Sequence, residues 1–177
     1  DGKPAYERKN VEPSIQDFMI FDTEKAPHRV NNSEYNTVYS FTDGTPTPSM
    51  ENQKPYLVVE DVNNGVSFTL PGGDNRHEAK ITIGNWNADM IVEMTSGDKT
   101  ASYEYQVFEP VQYGMFTLTY RSVEDVQVRI YNKSVSSERY GNFSLAAILL
   151  NEVHHIAAEQ AEGGAIKLTR TTANAGE

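Results

Sequence analysis

The sequence has no cysteine and a single tryptophan, and no apolar run in it approaches the roughly 18 residues that a membrane-spanning helix needs. Without thiols there is no disulfide scaffold, no thiolate metal site and no cysteine nucleophile. Positive charge is scarce as well: 15 Lys and Arg stand against 25 Asp and Glu, a formal net charge of -10. Such a surface repels phosphate backbones and anionic headgroups, so nucleic acid and membrane insertion are not expected, and neutral or cationic partners are favoured. Helix-forming composition is confined to Glu152 through Glu162, where Ala and Glu cluster before Gly163-Gly164, and a short peripheral helix or linker is expected there.

Catalytic motifs are missing too. No His-Glu-x-x-His, Gly-x-Ser-x-Gly, P-loop or dinucleotide fingerprint occurs in suitable surroundings. Of the four histidines, His28, His77, His154 and His155, only the last two are neighbours. Adjacent side chains point to opposite faces of a strand or diverge by about 100° on a helix, so that pair makes no metal site unaided. Loop carboxylates at Asp22, Asp43, Asp61 and Asp74 offer hard oxygen ligands of the kind a structural calcium takes, but their spacing matches no defined calcium loop. Turn formation by Asp is the favoured account, and no metal or cofactor is assigned. The chain is not expected to be an enzyme.

What the sequence does have is alternation. Apolar residues recur at every second position in Val66, Phe68, Leu70, then Ala79, Ile81, Ile83, then Met90, Val92, Met94. The pattern returns in Phe116, Leu118, Tyr120, in Val126, Val128, Ile130 and in Phe143, Leu145, Ala147, Leu149. Period two marks half-buried strands. Between them lie turn-forming stretches such as Asn63-Asn64-Gly65, Pro71-Gly72-Gly73-Asp74-Asn75 and Ser96-Gly97-Asp98. Short strands at close spacing predict an all-β fold, an antiparallel β-sandwich of jelly-roll type. The module is expected over residues 17–150, with residues 1–16 a linker or edge segment and residues 151–177 a C-terminal extension.

One stretch stands out chemically, Ile83-Gly84-Asn85-Trp86-Asn87-Ala88-Asp89, which closes one predicted strand and opens the next. Sugar recognition needs a flat ring against the C–H face of a pyranose, and planar amides to exchange hydrogen bonds with its hydroxyls. Asn85, Trp86 and Asn87 supply these side by side. Arg76 or Asp43 would add a charge-assisted bond if the loops converge. Tyr103 and Tyr105, each between polar neighbours, form a candidate second platform, and Tyr113, Tyr131 and Tyr140 are further aromatics of the same kind. The alternative is that Trp86 continues its strand and plugs the end of the sandwich while the asparagines make the turn.

The order of motifs is Phe41-Thr42-Asp43-Gly44-Thr45-Pro46, Ile83-Gly84-Asn85-Trp86-Asn87-Ala88, Thr95-Ser96-Gly97-Asp98, Leu118-Thr119-Tyr120 and Gly141-Asn142-Phe143-Ser144-Leu145-Ala146-Ala147. This succession resembles the accessory β-sandwich modules of large secreted bacterial glycosidases and cell-wall proteins, and within that group the family 71 carbohydrate-binding modules of streptococcal surface β-galactosidase. It departs from them at Phe41, where the pattern has Trp, and at Thr95-Ser96-Gly97-Asp98, where it has Leu-Ser-Asp-Gly. The resemblance implies a jelly-roll module that binds terminal galactose, as in lactose or N-acetyllactosamine, without a cofactor. It also implies a place on the bacterial surface, secreted or attached to the cell wall, beside other modules of a parent glycoside hydrolase. A structural spacer or protein-adhesion module on the same fold is the competing expectation.

Overall fold

The computed structural model describes residues 8–9, 11, 14–21, 28–31, 38–106, 111–135, 141–155 and 172–174. Its strands are β1 (Arg8–Lys9), β2 (Gln16–Phe21), β3 (His28–Asn31), β4 (Tyr39–Phe41), β5 (Gly44–Thr45), β6 (Met50–Gln53), β7 (Pro55–Glu60) and β8 (Gly65–Leu70). They continue with β9 (Arg76–Trp86), β10 (Ala88–Ser96), β11 (Lys99–Tyr105), β12 (Val111–Tyr120), β13 (Val126–Val135), β14 (Asn142–His155) and β15 (Thr172–Asn174). No helix occurs among the described residues.

Two antiparallel sheets carry the fold. One runs in the order β11-β10-β13-β8-β2 and the other β12-β9-β14-β7-β3, with β15 joined to β14. Two small ribbons, β1-β5 and β4-β6, complete the described structure. Alternation explains how the sheets stack. Phe68, Val128 and Ile130 from the first sheet and Ala79, Ile81 and Phe143 from the second are buried in one continuous core. The protein is therefore an all-β sandwich, as the period-two runs predict. Val66, Leu70, Ile83, Val92 and Leu145 belong to the same core, and Phe116 and Leu118, on an edge strand, pack against it half-buried.

Turn chemistry places the connections. Gly97, with φ 56°, sits first in the two-residue link where Ser96 pairs with Lys99, a backbone conformation that favours glycine. Asp43, Asp61 and Asn63 have φ of 59°, 69° and 66°, the left-handed conformation that short polar side chains tolerate, in keeping with a turn-forming role for these aspartates.

The C-terminal part corrects two expectations. Residues 152–155, expected above as part of a short helix or linker, extend β14 as strand, and β15 pairs with Val153 to His155, so the sheet continues past residue 150. Residues 156–162 lie outside the described residues, as do Asp22 and Tyr140. The alternation Phe143, Leu145, Ala147, Leu149 also breaks. A register shift between Leu145 and Ala147 turns Ile148 and Leu150 inward, while Leu149 is 54% exposed. Every residue from Ala146 to Leu150 is apolar, so composition there cannot say which face is which, and the bulge decides.

Candidate functional site

Strand alternation divides the Gly84-Asn85-Trp86-Asn87 stretch among three environments. Along β9 the odd positions Ala79, Ile81, Ile83 and Asn85 are buried, and the even positions Lys80, Thr82 and Trp86 are half-buried on the opposite face. Asn85 therefore continues the core stripe. It is 2% exposed, and neither its Oδ1 nor its Nδ2 has a hydrogen-bond partner. Trp86 ends the strand on the outer side of the sheet. It stands in register between Val111 of β12 and Asn142 of β14. Asn87, with φ 50°, is the single residue between β9 and β10 and turns the chain from one sheet into the other. A side chain at Gly141 would collide with Val135 and with the Asn87 carbonyl, so the glycine before Asn142 lets β14 approach this corner closely.

Of the remaining sequence candidates, Arg76, Tyr103 and Tyr105 lie away from Trp86. Arg76 begins the 11-residue strand that Trp86 ends, which separates them by roughly 33 Å. Asp43 lies between β4 and β5, outside the main sheets, and accepts a hydrogen bond from its neighbour Thr42 (Oγ1 to Oδ2, 3.3 Å). Tyr103 and Tyr105 are on β11, the edge of the other sheet, paired with the buried Val92 and Met90 and so facing the space between sheets. There Tyr105 packs edge-on against Phe116 of β12 at 5.1 Å, and Tyr103 does so at 6.4 Å while remaining 61% exposed. These rings flank an open apolar cleft of about 370 Å³ based on Val92, Met94 and Leu118. Tyr131 is occupied otherwise, with the Arg129 guanidinium 5.4 Å from its ring and 4.7 Å from that of Phe21.

Tyr113, one of the further aromatics of the sequence, is brought beside Trp86 by strand register. On β12 it pairs with Gly84, so it shares the outer face with Trp86, one diagonal step away, and is 44% exposed. Gly84 contributes no side chain between them. Asn142 is directly opposite Trp86 on the other flank, on the same face. The strand pattern of β12 alone shows that Tyr113 points away from Phe116 and Leu118; its register with Gly84 is what joins it to the tryptophan, and register between distant segments is not written in either of them.

Elsewhere the polar interior is structural. Asn132 donates from Nδ2 to the carbonyls of Val59 and Asp61, both at 3.0 Å, tying the two sheets together next to the 61–64 turn. At the other end His77 lies against Tyr120 with ring centres 5.0 Å apart, and the Tyr120 hydroxyl donates to the Pro71 carbonyl at 2.8 Å. Burial, with nearby Asp125 adding to it, pushes that phenol well above its ordinary value. On the surface, the hydrogen bond from Lys133 Nζ holds the Glu104 carboxyl below the usual carboxylate range. Among the described residues no three His, Asp or Glu side chains stand close enough to hold a metal ion. The side chains of His28, His154 and His155 are outside that description.

No family model matches the chain. No curated protein matches it either. Several solved structures are similar in shape. The enzymatically active domain of bacteriophage CBA120 tailspike protein 4 aligns at 9% identity and TM-score 0.47, over 76% of this chain and 19% of that one, so the protein spans about a fifth of the tailspike chain. TmCBM61, solved in complex with beta-1,4-galactotriose, aligns at 8% identity and TM-score 0.47 over 75% of this chain and 86% of that one. The CBM36-1 domain of a multidomain xylanase from the hindgut metagenome of Trinervitermes trinervoides aligns at 11% identity and TM-score 0.35, over 75% and 94%. Likenesses at this level assign neither ligand nor activity to the chain.

Proposed function

We propose that the protein is a non-catalytic carbohydrate-binding module that takes a terminal galactoside on the outer face of the second sheet. One observation carries this: Trp86 and Tyr113 flank the side-chain-free backbone of Gly84 on that face. Two aromatic rings separated by a glycine form a shallow platform, and sugar C–H groups pack on such rings while planar amides meet the hydroxyls. Asn142, opposite Trp86, and Asn87, at the corner, are the amides nearest in register and sequence. Asn85 is left out because it is buried in the core, and Arg76 because it stands at the far end of the strand. Galactose suits the platform through its axial O4, which leaves a continuous apolar patch of C–H groups on the opposite face of the ring.

A monosaccharide offers few atoms, so a Kd on the order of 0.1 to 1 mM per site is expected, with avidity supplied by neighbouring modules of a surface-attached parent. The test is titration calorimetry with lactose, with cellobiose as the comparison sugar. The unsubstituted protein should bind lactose, and Trp86→Ala and Tyr113→Ala should each lose binding while the thermal transition moves little. Full lactose affinity in both variants would remove the platform. Because the chain has one tryptophan, a lactose-dependent change in its fluorescence reports on Trp86 alone.

A further inference from the structure

Four edge strands bound the two main sheets, β11 and β2 in the first and β12 and β3 in the second. An open edge offers unpaired N–H and C=O groups to any passing strand, and proteins blunt it with charge, irregularity or proline. Three of these edges are blunted. β11 carries Lys99 and Glu104, β3 carries Arg29, and β2 carries Asp17 at φ 51° within a register shift. β12 has none of these. Its ten residues, Val-Gln-Tyr-Gly-Met-Phe-Thr-Leu-Thr-Tyr, include no charge and no proline, and its register with β9 is unbroken from Val111 to Tyr120. It carries uncharged residues on both faces, with Met115 58% exposed outside and Phe116 and Leu118 lining the open cleft inside. Among the described residues it pairs on one side only.

We propose that β12 is a self-pairing edge, through which two copies of the chain join antiparallel about a twofold axis and fuse their second sheets into one. Two features favour a second copy as the occupant. First, a chain of net charge -10 repels its own copies over most of its surface, and β12 is the main-sheet edge strand whose sequence carries no Asp, Glu, Lys or Arg. Second, the strand complements itself. Residues opposed across an antiparallel pair share a face, so pairing centred on Phe116 sets Leu118 of one copy beside Gly114 of the other. A side chain placed at Gly114 would meet nothing within 4 Å, so there is open space on that inner face for the leucine to cover. Phe116 is held by Tyr103 and Tyr105, which leaves Leu118 as the residue to lean over the gap. On the outer face Met115 then opposes Thr117 of the other copy.

Sedimentation equilibrium of the whole chain should show a monomer–dimer equilibrium. The double variant Met115→Lys with Thr117→Lys places like charges opposite one another twice, on two exposed positions, and should raise the dimer Kd by at least about tenfold with the thermal transition of the monomer little changed. Register is tested with introduced thiols, since the chain has no cysteine. An oxidised mixture of Met115→Cys and Thr117→Cys proteins should yield a cross-linked pair containing one of each. A monomer at every concentration up to the millimolar range would overturn the proposal, as would a dimer that persists unchanged in the double-lysine variant. Lactose binding is read separately and does not depend on either outcome.

Discussion

The two faces of β9 differ in burial residue by residue. Its inner face, Ala79, Ile81, Ile83 and Asn85, is sealed in the core; its outer face, Lys80, Thr82, Gly84 and Trp86, looks away from it and carries the aromatic of the strand. A strand so built separates stability from recognition residue by residue. Changes on the inner face should be paid for in unfolding free energy and changes on the outer face in ligand affinity, and each expected outcome below either breaks that division or sharpens it.

The largest effect belongs to the core. Phe143 pairs with Asn85 across β14 and β9 and is fully buried. Phe143→Ala removes its ring from the centre of the stack and should cost about 3 to 5 kcal/mol in denaturant unfolding. A loss below about 1 kcal/mol would mean that this face collapses freely around the gap and is not a packed core. Asn132 comes next. Its amide satisfies the Val59 and Asp61 carbonyls, and Asn132→Ala strands both acceptors, the first in a buried setting and the second in a part-buried one, so a loss of about 1 to 3 kcal/mol is expected. Lactose affinity should be unchanged in both folded variants, since neither residue is on the outer face of the second sheet.

How much of this could be read from the sequence follows from the range of the forces involved. Alternation is local, so the sandwich and the core residues Phe68, Ile81, Val128 and Phe143 are legible in runs of six to ten letters. Where every letter is apolar, as from Ala146 to Leu150, the pattern is silent and the bulge has to be seen. The helix expected from Glu152 fails over residues 152–155 because its Ala and Glu content is a weak prior against strand pairing, which β9 and β15 supply. Of the proposed site, Trp86 and Asn87 are legible in the sequence, and Tyr113 is named there among the aromatics but without its place. Asn85 and Asn87 flank Trp86 alike in the sequence, yet the alternation set by Ala79, Ile81 and Ile83 points Asn85 into the core. Arg76 and Asp43 depended on loops converging, a matter of topology, and Tyr113 reaches the site only through the pairing of β12 with β9.

The smallest effect expected has the opposite sign. Asn85 is a polar side chain in an apolar stripe, 2% exposed, with both amide atoms unpartnered. Burying an amide without hydrogen bonds costs roughly 1 to 3 kcal/mol, and replacing it by an apolar group of similar shape removes that cost. Leucine matches asparagine closely in branching, so overpacking should be slight. Asn85→Leu is therefore expected to raise stability by about 1 kcal/mol, measured as a higher denaturant midpoint at unchanged slope. The same variant probes function, because Asn85 is adjacent to Trp86 in sequence but on the other side of the sheet. Lactose affinity should equal that of the unsubstituted protein. If stability falls by more than about 1 kcal/mol, the amide has a buried partner that makes it part of the fold's polar framework, like Asn132. If stability rises as expected but lactose binding disappears, the inner and outer faces of β9 are coupled at this end of the strand, and the division between them does not hold there.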